Sequence, residues 1–333
     1  MPPVISVIGA GSWGTALAMQ LARVGHSVRL WARDPEQAAA MAAERVNRKY
    51  LPKFRLEPDI APTADLAAAV AGADRILVAV PSDAFAETLS ALAEHLNPDA
   101  GLAWATKGFE PGTGRLLHVV AGEQLGAGIP LAVVTGPSFA GEVAAGLPTA
   151  VTVGASDPDF GRAWAELLHG SSFRAYYTAD IIGAQLGGAV KNVLAIACGM
   201  ADGLGLGENT RAALITRGLA EMMRLGAAMQ ADHRTLMGLA GLGDLVLTCT
   251  GNASRNRRLG LALGQGKSPD DAAAEIGQVV EGIKTSAEVM RAAGSHGVEM
   301  PISEQVHGIL FNGWSARKGV QVLMERQLKA ETA

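Results

Sequence analysis

The sequence predicts a two-part α/β fold: a doubly wound, mostly parallel sheet followed by an all-helical domain. Strand-like apolar runs alternate with helical patterns over the first half of the 333 residues, as is typical of a sheet covered by helices on both faces. From residue 180 onward the strand-like runs stop, and helical patterns rich in small residues take over. We therefore expect one domain at residues 1–178 and an all-helical one at residues 179–333, with the boundary between residues 177 and 181.

Seven strand-like runs define the predicted sheet. They lie at residues 4–8, 28–31, 76–80, 102–105, 131–134, 150–153 and 173–177. The segments between them carry helical patterns, for example at residues 84–96 and 141–146. Ligands of such sheets bind outside the carboxyl ends of the strands, so the residues that follow each strand are the first candidates for a site.

The turn after the first strand has the sequence G-A-G-S-W-G, at residues 9–14. In a Rossmann-type domain, Gly9 would form the tight turn, Gly11 would let a pyrophosphate approach the backbone, and Gly14 would let the next helix pack against the strand. The free N–H groups at the start of that helix would then face the anion. An ordinary glycine turn is the alternative, but the helical spacing of Leu17 and Leu21 and the strand that follows favour a dinucleotide site.

The second predicted strand leads into A-R-D-P, the place where such domains distinguish their cofactors. An acidic residue there binds the ribose hydroxyls, whereas an arginine pairs with an added 2′-phosphate. Arg33 and Asp34 are adjacent, and the sequence leaves open which of them faces the ligand. We expect NADP to be favoured and NAD to be tolerated, with a solvated strand-end charge as the alternative for Arg33.

Composition narrows the class of partner. The chain is 49% hydrophobic and 18% charged, with a net charge of -4 and no lysine or arginine run, so we expect neither a nucleic acid partner nor a membrane surface. Residues 1–22 carry no charged side chain, but Pro2, Pro3 and the lack of a basic leading segment argue against a signal sequence. Cys198 and Cys249, the two cysteines, lack the spacing of a metal site or a disulfide framework. We expect a cytoplasmic protein with small-molecule partners, no metal site and no integral membrane segment.

Polar residues follow the later predicted strands. The third strand leads into V-P-S, the fourth into T-K-G-F and the fifth into T-G-P-S-F-A-G-E-V-A. Lys107 in the second of these motifs stands out, because a cation after a buried strand is costly unless it meets solvent or a ligand. Pro137 suits a first helical position, which would place Gly136 and Ser138 at a helix N-terminus that favours an anion or a polar ligand. An ordinary helix start that Ser138 helps to cap is the alternative.

A nearly apolar segment at residues 182–203 has Lys191 and Asn192 in its middle. It is too rich in glycine and too polar at its centre for a membrane span, so it predicts a buried helix between the two domains. A lone lysine in such a helix must shift its pKa, find a partner or face a cleft, and desolvation lowers the pKa of lysine towards the range that a general acid or base needs. We therefore interpret Lys191 as catalytic; a lysine that extends along the helix to the surface is the alternative.

A second group of polar residues lies in the helical half. Asp244 stands in a glycine-flanked apolar context, and Thr248 would share its side of a helix. The run S-R-N-R-R at residues 254–258 offers Arg255 as a planar donor to a phosphate, with a solvated basic helix start as the alternative. Glu281 could reach a ribose or a buried arginine, although a surface acid is the default interpretation.

The chain resembles the bacterial NAD(P)-dependent glycerol-3-phosphate dehydrogenases in motifs that span nearly its full length in the family's order. These motifs are G-A-G-S-W-G-T-A-L-A, T-K-G-F, G-P-S-F-A-G-E-V, A-V-K-N-V-L-A-I-A-C-G, G-L-G-D-L-V-L-T-C, S-R-N-R and V-V-E-G. The resemblance implies the reversible reduction of dihydroxyacetone phosphate to sn-glycerol 3-phosphate, which supplies phospholipid backbones.

The resemblance also implies roles for single residues. Lys191 would be the proton donor to the ketone oxygen in reduction and the base in oxidation. The implied substrate positions are Lys107, Gly136, Ser138, Lys191, Asp244, Ser254, Arg255 and Asn256. The cofactor positions, including the three glycines of the turn, are Gly9, Gly11, Ser12, Trp13, Gly14, Arg33, Tyr50, Lys107, Ala140, Arg255, Val279 and Glu281. Family members vary at Ser138, often carrying threonine, and at the end of the second strand, where the cofactor preference stays open.

Two other functions fit parts of the sequence. A 3-hydroxy acid or 6-phosphogluconate dehydrogenase would also use a helix lysine followed by asparagine, but the motifs T-K-G and S-R-N-R suit a small phosphate. A non-catalytic nicotinamide-sensing module would keep the glycine turn and would have no need for Lys191 in an apolar helix. The apolar helical domain further predicts a homodimer.

Overall fold

The computed structural model describes residues 3–96, 101–126, 128–328 and 330. Eight strands in this part of the chain form one sheet, in the order β3-β2-β1-β4-β5-β6-β7-β8. They are β1 (Val4–Ile8), β2 (Ser27–Trp31), β3 (Ile60–Thr63), β4 (Arg75–Val78), β5 (Leu102–Trp104), β6 (Leu131–Thr135), β7 (Thr149–Ala155) and β8 (Phe173–Thr178). The chain moves outward from β1 in both directions, which confirms the predicted doubly wound fold.

Helices cover the sheet and build the second half of the chain. Those of the first half are α1 (Ser12–Arg23), α2 (Pro35–Glu44), α3 (Leu66–Val70), α4 (Phe85–Ala93), α5 (Leu117–Leu125), α6 (Ala140–Ala144) and α7 (Pro158–Leu168), with a 3₁₀ turn at Ser82–Ala84. Those of the second half are α8 (Ile181–Gly203), α9 (Gly207–Ala228), α10 (His233–Met237), α11 (Asp244–Thr250), α12 (Arg255–Gly264), α13 (Pro269–Ile276), α14 (Glu281–Ser295), α15 (Pro301–Phe311) and α16 (Ala316–Met324), with a π-helical turn at Leu239–Gly243. Among the described residues after Thr178, all regular elements are helical, as predicted.

One strand, β3, was missed by the sequence analysis. It pairs in parallel with β2 at the edge of the sheet, and Pro62 lies opposite Leu30 in the register. Proline cannot donate a ladder hydrogen bond, so a proline within a short run argues against a strand unless that strand is at an edge. The run I-A-P-T is therefore compatible with β3 only because of its edge position, which the sequence does not reveal.

The direction of the strands determines which loops meet. Neighbouring strands are parallel except β6 and β7, which are antiparallel with Thr135 opposite Thr152. The carboxyl ends of β1, β4, β5 and β6 therefore lie on one side of the sheet, across the strand direction, which we call the shared edge. The strands β7 and β8 end on the opposite side. The shared edge carries the glycine turn after β1 and Lys107 after β5.

The helix α8 forms the centre of the helical half. Residues 183–201 of this helix are all buried, against α9, α11, α12 and α14 among others. Within the part of the chain that the structure describes, α8 is the helix whose length and composition would suffice to cross a membrane, yet nearly all of it is enclosed by protein. The predicted buried helix is confirmed, and its apolar character is that of a core element.

The two cysteines are buried free thiols. Cys198 on α8 and Cys249 on α11 are distant in sequence, and the neighbouring Cys198 thiol together with burial raises the pKa of the Cys249 thiol. Across the described ranges, no group of three or more His, Cys, Asp and Glu side chains is arranged to hold a metal ion.

Glycines allow α8 and α12 to pack backbone to backbone. A Cβ atom at Gly260 of α12 would lie 2.0 Å from the carbonyl oxygen of Ile196, and one at Gly199 of α8 would lie 2.1 Å from the carbonyl oxygen of Arg257. No side chain fits between helices at this separation. The contact matters for function because α8 carries Lys191 and Asn192, and α12 begins at Arg255.

We expect the substitution Gly260→Ala to lower the free energy of unfolding by about 1–3 kcal/mol, because the new methyl group would force α12 away from α8. Gly122 in α5 is the matched control, since a Cβ atom there would meet no atom within 4 Å. Gly122→Ala should leave stability unchanged or raise it by up to about 1 kcal/mol. Urea unfolding of both variants measures the difference, and equal losses would contradict the close helix packing.

Candidate active site

Three charged side chains from distant parts of the sequence meet at the shared edge of the sheet. Lys107 follows β5, Lys191 lies in the middle of α8, and Asp244 is the first residue of α11. The Nζ atom of Lys107 donates a hydrogen bond to Oδ2 of Asp244 at 2.8 Å, and the Nζ atom of Lys191 donates to Oδ1 of the same carboxylate. We call these three residues the Lys–Asp–Lys cluster. One turn later Thr248 donates to the main-chain oxygen of Asp244 at 2.6 Å, so these two residues share a helix face as predicted.

The cluster is buried: Asp244 is 1% exposed and Lys191 is 6% exposed. Burial, opposed by Asp244 and assisted by Lys107, lowers the pKa of Lys191 to about 7. Burial also acts to lower the pKa of Lys107, but the charge and hydrogen bond of Asp244 outweigh it, and this pKa is raised. For Asp244, burial acts to raise the pKa, and the two lysines lower it on balance. Lys191 is therefore the member of the cluster that changes charge near neutral pH, and the alternative of a surface-reaching lysine is wrong.

A second set of polar contacts starts at the neighbour of Lys191. Nδ2 of Asn192 donates to Oε2 of Glu281 at 3.3 Å, and Nδ2 of Asn256 donates to Oδ1 of Asn192 at 2.8 Å. Oδ1 of Asn256 in turn accepts from the N–H of Gly282 at 2.9 Å. These bonds join α8, α12 and the start of α14. Glu281 is half-buried in this network, so the default interpretation of a surface acid was wrong.

The structure distinguishes the arginines of the S-R-N-R-R run. Arg257 pairs with Asp202 at 2.6 Å and is thereby occupied in joining α12 to α8. Arg255 is half-buried and has no hydrogen-bond or ion-pair partner among the described residues. Ser254 caps α12, because its Oγ atom accepts from the N–H of Arg257 at 3.2 Å. Arg255 is therefore the half-buried arginine of this run that remains able to bind an anion, while Arg258 is exposed.

The turn after β6 differs from the prediction. The helix α6 begins at Ala140 and not at Pro137, and it has five residues. Ser138 does not cap it; its Oγ atom donates to the carbonyl oxygen of Gly136 at 2.9 Å, and Phe139 keeps an extended conformation before the helix. This local hydrogen bond competes with helix formation, which is why the prediction of a first helical position at the proline was wrong. Gly136 and Ser138 lie in a turn at the carboxyl end of β6, and Ala140 starts the short helix.

The glycine turn has the space and the free donors that a dinucleotide requires. Gly9 has a φ of +120°, and a Cβ atom there would lie 2.6 Å from the carbonyl oxygen of Ala79. A Cβ atom at Gly14 would lie 1.9 Å from the carbonyl oxygen of Gly9, so α1 packs directly on the turn. At Gly11 a Cβ atom would meet nothing within 4 Å, and no side chain caps α1 there. The backbone at Gly11 therefore faces open space next to the unpaired N–H groups of a helix start.

The end of β2 shows which of the two adjacent charges is available to a ligand. The carboxylate of Asp34 accepts from the N–H of Glu36 at 3.0 Å and caps α2. Arg33 is exposed and has no partner among the residues that the structure describes.

Tyr50 lies near the glycine turn, since its carbonyl oxygen accepts from Oγ of Ser12 at 3.3 Å. The remaining cofactor candidates are Trp13, half-buried in α1, and Val279, 58% exposed before α14.

Two buried polar residues next to these positions were missed by the sequence analysis. Thr135 ends β6, and its hydroxyl is buried without a partner in the described part of the chain. A Cβ atom at Gly188 of α8 would lie 2.8 Å from this hydroxyl, which places it beside the Lys–Asp–Lys cluster. Asn47 is 1% exposed and donates to the carbonyl oxygen of Ala10, within the glycine turn, at 2.9 Å. Thr135 opens the T-G-P-S motif at the end of the fifth predicted strand, but its unpaired hydroxyl, like the contacts of Asn47, is seen only in the tertiary structure.

Two family models match the chain. The model described as the NAD-dependent glycerol-3-phosphate dehydrogenase N-terminus matches residues 4–161, and the model described as the C-terminus of the same enzyme matches residues 180–321. The chain belongs to the NAD-dependent glycerol-3-phosphate dehydrogenase family. The family resemblance of the sequence motifs is thereby confirmed.

Individual members of the glycerol-3-phosphate dehydrogenase family are similar over the whole chain. A glycerol-3-phosphate dehydrogenase of the NAD(P)+ type from Stenotrophomonas maltophilia (strain R551-3) is 58% identical over 327 residues, which are 98% of this chain and 96% of that protein. One from Xylella fastidiosa (strain M23) is 59% identical over 98% of this chain and 94% of that protein. The crystal structure of glycerol-3-phosphate dehydrogenase from Coxiella burnetii is 48% identical, with a TM-score of 0.94 over 98% of this chain and 99% of the other.

The lowered pKa of Lys191 predicts how the stability of this glycerol-3-phosphate dehydrogenase family member depends on pH. The ordinary pKa of lysine is 10.5, so between pH 7 and that value the unfolded chain binds a proton that the folded chain has lost. Lys191 should therefore contribute a rise in stability of about 2 kcal/mol between pH 7 and pH 9, which the raised pKa of the Cys249 thiol partly offsets near pH 9. Lys107 and Asp244 do not contribute in this window, because their pKa values are shifted away from it, upward and downward respectively.

Urea unfolding at pH 7 and pH 9 measures this dependence. In the variant Lys191→Met the buried amine is gone, while Lys107 and Asp244 remain as a pair, so most of the gain between the two pH values should disappear. A variant that keeps the full gain would show that other groups carry the pH dependence.

Proposed function

We propose that this protein catalyses the reversible, NAD(P)H-dependent reduction of dihydroxyacetone phosphate to sn-glycerol 3-phosphate for glycerophospholipid synthesis. The observation that carries the proposal is the buried Lys191, hydrogen-bonded to Asp244 beside Lys107 at the edge of the sheet that carries the glycine turn. Membership of the glycerol-3-phosphate dehydrogenase family and the names of the similar proteins support it.

Lys191 is the proposed general acid and base. When bound, the reduced nicotinamide supplies the hydride for the carbonyl carbon of the ketone. As negative charge develops on the carbonyl oxygen, the ammonium group of Lys191 stabilises this oxygen and then gives it a proton, which completes the alcohol. In the direction of oxidation the neutral amine of Lys191 takes the proton from the alcohol. A pKa of about 7 suits both directions, because near neutral pH both the ammonium form and the neutral amine are present.

Asp244 and Lys107 support this proton transfer. The hydrogen bond to Asp244 holds the Nζ atom of Lys191 in place. After Lys191 has given up its proton, Lys107 and Asp244 remain as an ion pair, so the carboxylate is never left buried without a counter-charge. Before the transfer, the cluster has two cations for one carboxylate, and its excess positive charge favours a developing oxyanion.

We propose that Arg255 binds the substrate phosphate. Its guanidinium is the one in the S-R-N-R-R run that is partly buried and unpaired among the described residues, and a planar fork of donors suits phosphate oxygens. The residues proposed to contact the substrate with Arg255 are Lys107, Gly136, Ser138, Lys191, Asp244, Ser254 and Asn256.

We propose NADPH as the favoured cofactor and NADH as the alternative. Because Asp34 is occupied as a helix cap, Arg33 is the strand-end charge available to a 2′-phosphate. The residues proposed to hold the cofactor are Gly9, Gly11, Ser12, Trp13, Gly14, Arg33, Tyr50, Lys107, Ala140, Arg255, Val279 and Glu281. We further propose that the enzyme is a cytoplasmic homodimer with no nucleic acid partner.

An absorbance assay at the nicotinamide band, with dihydroxyacetone phosphate and each reduced cofactor in turn, tests the proposed function. We expect oxidation of both cofactors and a higher kcat/KM with NADPH. Turnover of a 3-hydroxy acid or 6-phosphogluconate without turnover of dihydroxyacetone phosphate would favour the other dehydrogenases. NADPH binding without turnover of any phosphorylated ketone would favour a sensing module.

For Lys191→Met we expect kcat to fall by about 10²–10⁴, because the variant lacks the general acid. NADPH should still bind, as measured by the fluorescence of the nicotinamide, because the glycine turn is untouched. In the wild type, kcat/KM for reduction, which reports the free enzyme, should fall as the pH rises above 7, when Lys191 loses its proton. Near-normal turnover in Lys191→Met would contradict the proposed role.

For Arg255→Ala we expect the KM for dihydroxyacetone phosphate to rise by about 10- to 100-fold, which corresponds to the loss of a charged hydrogen bond. Arg258→Ala is the matched control, because it removes the same charge from the same helix at an exposed position. The control should leave this KM within about twofold of the wild type, which is close to the usual small effect of an exposed charge. Equal changes in the two variants would indicate a general effect of charge in place of a phosphate contact.

A further inference from the structure

The side chain of Asn47 makes contacts that no motif predicts. It lies between α2 and β3, is 1% exposed, and has both N–H groups of its amide occupied. Nδ2 donates to the carbonyl oxygen of Ala10 at 2.9 Å and to Oγ1 of Thr15 at 2.8 Å. One bond reaches the glycine turn and the other reaches the first turn of α1, so the amide spans the two parts of the predicted pyrophosphate site.

Two hydrogen bonds fix the orientation of the carbonyl group of Ala10. Besides the bond from Asn47, it accepts a hydrogen bond from Nε2 of Gln37 on α2 at 2.9 Å. A peptide group is planar, with its N–H pointing away from its carbonyl oxygen, so two bonds on the oxygen also fix the direction of the Gly11 N–H. The backbone at Gly11 is the part of the turn that faces open space. The side chains of Asn47 and Gln37 thus orient the N–H of Gly11 away from themselves and away from the protein interior.

The main chain of Asn47 organises a second cofactor candidate. Its carbonyl oxygen accepts from the N–H of Tyr50 at 3.3 Å and from the N–H of Leu51 at 2.8 Å, which closes the turn that carries Tyr50. The carbonyl oxygen of Tyr50 is in turn bound by Oγ of Ser12 at 3.3 Å. Asn47 is therefore bonded to the glycine turn through its side chain and to the Tyr50 turn through its backbone.

We infer that Asn47 is a positioning residue for the dinucleotide, and that it holds the glycine turn and the Tyr50 turn in their binding conformations before the cofactor arrives. The inference rests on the proposed use of NAD(P)H. A turn with glycines on both sides of Ala10 has many accessible backbone conformations, and ordering it only on binding would reduce affinity. Gln37 assists through its bond to the same carbonyl oxygen. The ligand class is a pyrophosphate-bridged dinucleotide.

The experiment compares NADPH binding to the wild type, Asn47→Ala, Gln37→Ala and Gln20→Ala by the fluorescence of the nicotinamide. Gln20 is the matched control: it is 3% exposed, and its Nε2 atom also donates to a main-chain oxygen, that of Leu168, at 2.9 Å, away from the glycine turn. We expect the Kd for NADPH to rise about tenfold in Asn47→Ala, which loses the bonds from Nδ2 to the glycine turn and to α1, and about threefold in Gln37→Ala, which loses one bond to the glycine turn. Gln20→Ala should bind NADPH like the wild type, even where its melting temperature falls.

Steady-state kinetics separates positioning from general destabilisation. In Asn47→Ala the KM for NADPH should rise by more than kcat falls, and the KM for dihydroxyacetone phosphate should change less than the KM for NADPH. An unchanged Kd in Asn47→Ala, or an equal rise in Gln20→Ala, would overturn the inference. If Asn47→Ala does not fold, Gln37→Ala decides, and an unchanged Kd there would overturn it as well.

Failure of the inference and failure of the proposed function give different results. A wild-type protein that binds NADPH but reduces no phosphorylated ketone would contradict the proposed function, while the binding comparison among the variants would still test Asn47. A wild-type protein that reduces dihydroxyacetone phosphate, together with an Asn47→Ala variant of unchanged NADPH affinity, would overturn only the role of Asn47.

Discussion

The buried carboxylate of Asp244 joins the two halves of the protein at the candidate site. It accepts hydrogen bonds from Lys107, which follows a strand of the sheet, and from Lys191, which lies in the central helix of the helical half. Without it, two buried cations would face each other with no counter-charge, an arrangement that costs several kcal/mol. Three features therefore depend on one side chain that is 1% exposed. They are the placement of both amines, the contact of α11 with the shared edge of the sheet, and the charge state of Lys191.

Local chemistry in the sequence accounts for much of this arrangement. Strands buried on both faces appear as continuous apolar runs, so most of the sheet was predictable, whereas β3 was hidden by Pro62. Lys191 was predictable because a lysine in an apolar helix conflicts with its surroundings, and such conflicts mark functional positions. The pairing of Lys191 with Asp244 was not predictable, since Asp244 lies 53 residues further along the chain and the contact depends on how α11 packs against α8. The shared carboxylate is a property of the tertiary structure alone.

Neighbouring charged residues were the hardest to distinguish from the sequence. Arg255 and Arg257 are equivalent by composition, and they differ only because Asp202, 55 residues from Arg257, neutralises one of them. Arg33 and Asp34 differ because a cap on α2 occupies the carboxylate. Asn47 had no local signal at all, because an asparagine in a polar connecting segment is ordinary until its two donors are found on the glycine turn and on α1.

The reversed direction of β7 and β8 determines where α8 begins relative to the sheet. Because β8 ends at the far edge of the sheet, the chain enters α8 there, and the Cα atom of Ile181 lies 3.4 Å from where a Cβ atom would stand on Gly154 of β7. The ten residues from there to Lys191 rise about 15 Å, close to the length of a five-residue strand, so the helix crosses the sheet from edge to edge. The length of α8 between its start and Lys191 thus determines where the Lys191 amine lies relative to the sheet. One residue inserted or deleted before Lys191 would swing the amine by about 100° around the helix axis, away from Asp244.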